Sequence, residues 1–328
     1  MKKIIILTLA LVAPLAESCK KTETPTAEVT GKWYRRAQFE GLARSGAVSF
    51  VLADKAYVAL GTDGTDRYRD LWEFTPATGT WRQRADFPGP GRFGAVAFAA
   101  GGKGYVGTGT TGTDRLNDFY AYDPATNQWQ RRADFGGSAR YAAVAFGLDG
   151  KGYVGTGYDG NYKTDFWQYD PAAYAWTQKP SFGGNKRLGA VAFTAAGQGY
   201  IATGLDNGSY LTDVWSYAPA TETWTAHRPL ESSATNGEGL DFSAVPRAYA
   251  VAFAAADPTL GATDALRNDC YAYSAPADTW TKKTAFPSTA RTGAVGFGVN
   301  GLGFITLGTN ANQRYDDVWE LRPEEKAE

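Results

Sequence analysis

The sequence predicts an all-β ring of six four-stranded blades, a β-propeller, on three observations that recur in register along the chain. The first is an Arg-x-Gly-Ala-Val-Ala-Phe segment, or a close variant, beginning at Arg44, Arg92, Arg140, Arg187, Arg247 and Arg291. The second is an aspartate followed two residues on by Trp or Tyr, with Asp70, Asp118, Asp165, Asp213, Asp269 and Asp317 leading Trp72, Tyr120, Trp167, Trp215, Tyr271 and Trp319. The third is a tryptophan after a Pro-Ala turn, at Trp81, Trp129, Trp176, Trp224 and Trp280, with Trp33 as the sixth. Arg44, Arg92, Arg140 and Arg187 stand 48, 48 and 47 residues apart, so each copy is one structural unit of about 48 residues.

Composition points the same way. The chain holds 39 Gly, 10 Trp, 19 Tyr and 17 Phe but one Met, which suits short strands joined by tight turns. In the second copy, strands are expected at 94–98, 104–109, 118–122 and 128–132. Glycine and alanine in the first strand suit the crowded position nearest the axis, and the closing Trp is large enough to pack between neighbouring blades. Trp33 lies ahead of the first full copy. It closes the last one only if the N-terminal segment returns to pair beside the C-terminal repeat, so the ring is expected to be sealed by strand exchange over 31–323, with a charged tail at 324–328.

Residues 1–19 read as a secretory signal: Lys2 and Lys3 precede an apolar run from Ile4 to Val12 that is too short to span a membrane. Small residues before Cys19 resemble the bacterial lipoprotein cleavage box, which would make Cys19 the lipidated first residue of the mature chain and 20–30 a polar tether. An ordinary cleaved signal is the alternative. Either form is expected to cross the inner membrane and act in the periplasm, anchored to the outer membrane, or at the cell surface. Cys270 is the only other cysteine, so no disulfide within the domain is expected. It aligns with Leu71, Phe119, Phe166, Val214 and Val318 and reads as a small buried hydrophobe.

Lys and Arg total 33 against 34 Asp and Glu, which leaves no global field to gather nucleic acid or an anionic membrane. Nucleic acid is therefore not an expected partner, membrane contact is expected only through the lipid, and the chain is expected to be a monomer.

Four landmarks resemble the kelch family: the Arg-Ser-Gly-Ala start at Arg44, the Tyr-Val-Gly-Thr-Gly strand ends from Tyr105 and Tyr153, the Asp-x-Trp/Tyr strand and the closing Trp. The resemblance covers about 31–323 and implies a kelch-type propeller. One departure is that kelch repeats usually end the second strand in two glycines, whereas here the pairs are Leu60-Gly61, Thr108-Gly109, Thr156-Gly157, Thr203-Gly204 and Leu307-Gly308.

In such a blade, the loops between strands two and three emerge on the same face as the connections from strand four to the next blade. These loops vary from copy to copy, while the opposite turns (Gly102-Lys103, Gly150-Lys151) hardly change, so function is expected on the loop face. From Trp to the next Arg, five connections span 11 residues, but Trp224 to Arg247 spans 23. The fifth copy also loses its Tyr-Val-Gly-Thr-Gly strand around Pro258, and the broken symmetry marks a place for selectivity.

Candidate binding residues follow from these loops. Arg67, Arg115, Tyr162, Tyr210 and Arg314 occupy one repeating loop position and offer hydrogen-bonding and stacking groups to an anion, a sugar or a peptide. Arg44, Arg92, Arg140, Arg187, Arg247 and Arg291 are expected near the axis at the same face. A sixfold repeat suits a structural pairing with the six aspartates, although an unpaired subset could hold an anion. His227, Glu238 and Asp241 add polar groups from the long connection.

No catalytic residue, metal or cofactor is expected. His227 is the only histidine, so neither a multi-imidazole zinc site nor the copper site of the distantly similar galactose oxidase can be assembled. No serine sits in a nucleophile turn, and Asp63-Gly64-Thr65-Asp66 lacks the ligand count for calcium. The chain is therefore expected to be a non-catalytic scaffold that presents its loop face to a glycan, peptide or partner protein at the cell envelope. An alternative follows from a more distant likeness to N-acetylneuraminate epimerase, a secreted kelch propeller. It implies cofactor-free sugar epimerase or mutarotase chemistry, with Glu231, Glu238 and Asp241 as candidate bases and an axial arginine as the anion clamp.

Overall fold

In a computed structural model the described residues are 30–326, apart from 231–233, 237–238, 242–244, 255–257, 262–266 and 312; the signal and tether up to 29, with Cys19, lie outside them. The described chain is all-β, and its four-stranded antiparallel sheets run in sequence order from an inner to an outer strand, except the last, whose outer strand comes from the start of the chain. Blade 1 uses strands Val48–Leu52, Lys55–Ala59, Leu71–Thr75 and Thr80–Arg84, and blade 2 uses Val96–Ala100, Lys103–Gly107, Phe119–Asp123 and Gln128–Arg132. Blade 3 occupies 144–179 and blade 4 occupies 191–227 in the same pattern. Blade 6 is built from Val295–Val299, Leu302–Thr306 and Asp317–Lys326, with Thr30–Gln38 as its outer strand.

Five of these sheets are regular. That is one short of the six expected: the exception is blade 5, the copy whose sequence already marks a poorly specified second strand, where the two inner strands shrink to Phe253–Ala254 and Pro258–Gly261 ahead of normal outer strands Cys270–Ser274 and Thr279–Lys283. The cause is visible in sequence, because this copy lacks the Tyr-Val-Gly-Thr-Gly run, and Pro258, which has no N–H, stands first in the second strand.

Ring closure is as expected from Trp33. Trp33 pairs with Leu321, and its indole N–H donates to the Thr284 carbonyl at 3.0 Å. Four of the other closing tryptophans repeat this bond: Trp129 donates to the Ala85 carbonyl at 2.8 Å and meets Phe87 edge-on at 5.2 Å, Trp176 and Trp224 do likewise with Phe135 and Phe182, and Trp280 donates to the Arg228 carbonyl at 3.2 Å, while Trp81 meets Phe39 edge-on but its indole nitrogen is buried without a partner. The last blade's strands run past 323. Thr30 pairs with Lys326, so 324–326 form strand rather than tail, and Thr30 belongs to the sheet rather than to the tether.

Inside the ring, an aromatic from four of the inner strands lies on a glycine of the next blade. A Cβ at Gly104 would sit 2.1 Å from the Phe50 ring, so only glycine fits there. Phe98 over Gly152 and Phe146 over Gly199 repeat the packing. Cys270 is fully buried among Val251, Phe253 and Leu321, and burial pushes its thiol up to about 12, which keeps it protonated and inert.

Candidate functional site

The six repeated arginines are, with Glu320, the deepest charged groups among the described residues, at 0 or 1% exposure. Arg92 shows the pattern: Nε donates to the Pro90 carbonyl at 3.0 Å, one terminal nitrogen donates to the Thr108 carbonyl at 2.9 Å, and the guanidinium grips Asp118 through both oxygens. Arg44, Arg140, Arg187 and Arg291 do the same with Asp70, Asp165, Asp213 and Asp317. The aspartate is shared with the indole two residues on, as Asp165 accepts from Trp167 at 2.9 Å. These arginines therefore staple the start of each inner strand to the third strand. As ligand contacts they are corrected, because their donors are spent inside the blade. Arg247 is the exception: its Nε donates to the Val245 carbonyl at 3.5 Å and it keeps a single bond to Asp269, at 3.0 Å, while its other terminal nitrogen and the second Asp269 oxygen are buried without partners.

Two residues beyond each arginine the chain turns through the left-handed region at Gly46, Gly94, Ala142, Gly189, Tyr249 and Gly293, with φ between 52° and 64°. These residues ring the axis and form the floor of a funnel of about 460 Å³ on the loop face, above a narrower shaft of about 210 Å³ lined by alanine and valine. Five of the six are Gly or Ala; the sixth, Tyr249, carries a bulky side chain at φ 55°, a conformation that costs a residue of this kind of order 1–3 kcal/mol.

Tyr249 stays 39% exposed in the funnel. Partial burial, with the phenols of Tyr141, Tyr162 and Tyr210 around it, pushes its hydroxyl up to about 12, so it is a neutral donor at any physiological pH. Tyr141, Tyr158 and Tyr162 continue the cluster edge to face, at 5.8 Å and 5.2 Å between ring centres. Phe93, Tyr141 and Tyr249 all line the funnel, whose described walls hold no carboxylate or imidazole.

Of the five rim residues, Tyr162 joins this cluster through Tyr158, and Tyr210 is 57% exposed. The arginines do different work. Arg67 leans over the Phe93 ring of the next blade at 5.4 Å and donates to the Thr111 carbonyl at 3.0 Å, and Arg115 lies over Tyr158 at 5.5 Å. Arg314 reaches the loop of blade 1, where the Asp66 N–H, the Tyr68 hydroxyl and the Thr65 N–H hold the Asp63 carboxyl down at about 2 and the Arg314 charge adds a smaller pull. They clasp adjacent loops and frame the mouth.

His227 is not in the long connection. It ends the strand Thr223–His227, between blades 4 and 5, with Nε2 2.7 Å from the Ser216 hydroxyl and Nδ1 3.5 Å from Asp278. The trio has the order of a nucleophile relay, but Ser216 is 1% exposed in mid-strand, so no substrate reaches it. In blade 1 the same two positions hold Glu73 and Arg84, bonded at 2.9 Å, which identifies the trio as a variant of a structural cross-strand pair. His227 as a ligand contact is corrected on that ground. Glu231 and Glu238 lie outside the described residues, and Asp241 is placed only by backbone, on the strand Gly239–Asp241.

Sequence reasoning missed Tyr141 and Tyr249. The signal was available for Tyr249: Arg247-Ala-Tyr-Ala-Val puts a tyrosine where four of the other five copies have glycine.

A Kelch motif matches residues 92–136, the second repeat. No curated protein matches the chain. Among solved structures, one titled "Structure of YjhT" is similar with a TM-score of 0.69 at 16% identity, over 86% of this chain and 95% of that one. At that identity the likeness speaks for the fold alone, and it agrees with the strand order and the repeats: the fold is a kelch-type β-propeller.

Proposed function

We propose that this propeller is a non-catalytic binding scaffold whose loop face takes a glycan or a peptide, with the tyrosine-walled mouth as the anchor point. Tyr249 carries the reading. A strained bulky residue at the one axial position where its repeats use Gly or Ala is costly to keep, and it lines the funnel with Tyr141, whose ring leads through Tyr158 to Tyr162. Tyrosines in such a wall offer flat apolar faces to a sugar ring or an aromatic side chain, and hydroxyls to its polar edge.

The test is a glycan and peptide array on the purified protein, followed by titration of any hit with Tyr249→Gly. Binding is expected to weaken by about ten-fold or more, roughly 1.4 kcal/mol, while the melting temperature holds or rises because glycine sits at ease at this φ. Unchanged affinity would remove the mouth from the binding site. Accelerated anomer exchange in the NMR spectrum of a bound sugar would instead establish the epimerase or mutarotase alternative.

The N-terminal segment supports a place in the cell envelope. The strand Thr30–Gln38 begins beside Lys326 on the turn face and ends beside Asp317 on the mouth side, so a tether leaving Thr30 points the mouth away from the anchoring surface. Cys19→Ser is expected to move the protein from the membrane fraction to the soluble one; an unchanged distribution would rule out the lipid.

A further inference from the structure

We infer that the ligand of the mouth presents a secondary amide, bound by the backbone of Tyr249 and Gly293; this rests on the mouth being the binding site. The observation is a belt of backbone hydrogen bonds around the axis. At each seam the left-handed residue of one blade donates its N–H to the carbonyl of its counterpart in the preceding blade: Gly46 to Gly293 at 2.9 Å, Gly94 to Gly46 at 3.0 Å, Ala142 to Gly94 at 2.8 Å, Gly189 to Ala142 at 3.0 Å and Tyr249 to Gly189 at 2.7 Å.

The sixth seam is open. Among the described residues the Gly293 N–H donates to no oxygen and the Tyr249 carbonyl accepts no hydrogen, although both residues line the funnel and both keep the belt conformation. Blade 5 is the blade with the shortened inner strands and the half-paired Arg247, so its inner edge is the one least tied to its neighbours.

The open seam therefore leaves one donor and one acceptor at the foot of the Tyr249 ring. Open to solvent, they cost nothing; covered by a ligand, they must be paired or the complex bears an unsatisfied backbone group. A trans secondary amide carries its carbonyl and N–H on opposite edges, so inserted in line between the two it accepts from Gly293 and donates to Tyr249 as a further link of the belt, while the group it is attached to lies against the Tyr249 ring. A ligand of the same shape without the amide leaves both groups unpaired, and sites of this kind reject such analogues strongly. An acetamido sugar and an acylated amino acid carry the same amide, and the probes below separate the two sources.

The experiment is amide hydrogen exchange and chemical-shift titration on the full folded domain. In the free protein the Gly293 amide is expected to exchange at least about ten-fold faster than the amides of Gly46, Gly94, Ala142, Gly189 and Tyr249. Methyl N-acetylglucosaminide tests the sugar source, N-acetyltyrosine methylamide tests the peptide source, and methyl glucoside and 4-ethylphenol are their amide-free counterparts. The amide-bearing member of one pair is expected to bind about ten-fold tighter or better than its counterpart and to slow exchange at Gly293. A Gly293 amide as protected as the other five before any ligand is added overturns the inference. Equal binding within each pair overturns it too, while leaving the mouth as a site; silence from all four probes overturns the mouth itself as their site and the inference with it.

Discussion

Deleting residues 31–38 is expected to abolish cooperative folding near room temperature, with a melting temperature lowered by more than any single substitution lowers it. The segment supplies the whole outer strand of blade 6. Its loss strips Trp33 from Phe286 and from the Thr284 carbonyl, removes both Arg36 bonds to the buried Glu320 at 2.7 Å, and exposes the outer edge of Asp317–Lys326. Removing a large packed aromatic alone costs about 3–5 kcal/mol, and a domain has only about 5–15 kcal/mol in total. The bared strand is also a template for pairing with another chain, so aggregation is expected alongside the loss. Thermal and urea melts of the truncated protein decide it; an unchanged midpoint would mean that the ring does not depend on this closure.

Arg140→Met is the point substitution expected to cost most, about 3–5 kcal/mol in urea unfolding, because it leaves Asp165 in a largely dry site without its partner. Arg247→Met is the internal control. That arginine makes one hydrogen bond to its aspartate where Arg140 makes two, and it already carries an unpaired buried nitrogen, so its loss is expected to cost clearly less. Equal costs would show that the guanidinium acts by bulk rather than by pairing.

The same pairs set an acid limit. Burial works to raise the Asp165 carboxyl, but the Arg140 bonds and charge and the Trp167 indole outweigh it and hold the group below its usual range; Asp317 is held low in the same way by Arg291, Trp319 and Ser288. A carboxylate depressed in the folded state contributes its full stability above the unfolded value, near pH 4, and loses it as pH falls further through the folded one. Acid unfolding of the parent protein is therefore expected below about pH 4, and Arg140→Met is expected to flatten that part of the profile.

How much of this was legible in the sequence differs between fold and site. The repeated Arg, Asp and Trp were readable because each blade must solve the same packing problem, so the same solution recurs at a fixed spacing. Trp33 and its missing partner repeat even located the ring closure. The arginine-to-aspartate pairing was readable for the same reason, since a sixfold charge is a structural charge. The rim was only half legible. Tyr162 and Tyr210 were found by position, but Arg67, Arg115 and Arg314 occupy the same position and turn out to clasp loops. Whether a loop side chain faces the mouth or the neighbouring blade is settled by the neighbour's shape, which the local sequence does not encode.

The sequence by itself determined the blades, their order, the closing strand and the irregularity of the fifth repeat, because those follow from periodic burial and turn chemistry that act within about 48 residues. Only the tertiary structure decided the site. Tyr249 of blade 5 shares the funnel with Tyr141 of blade 3, and the belt that stays open at Gly293 is a property of the ring as a whole. Both arise because closing a ring brings residues a hundred positions apart to one axis, where a departure in a single repeat changes what all its neighbours can do.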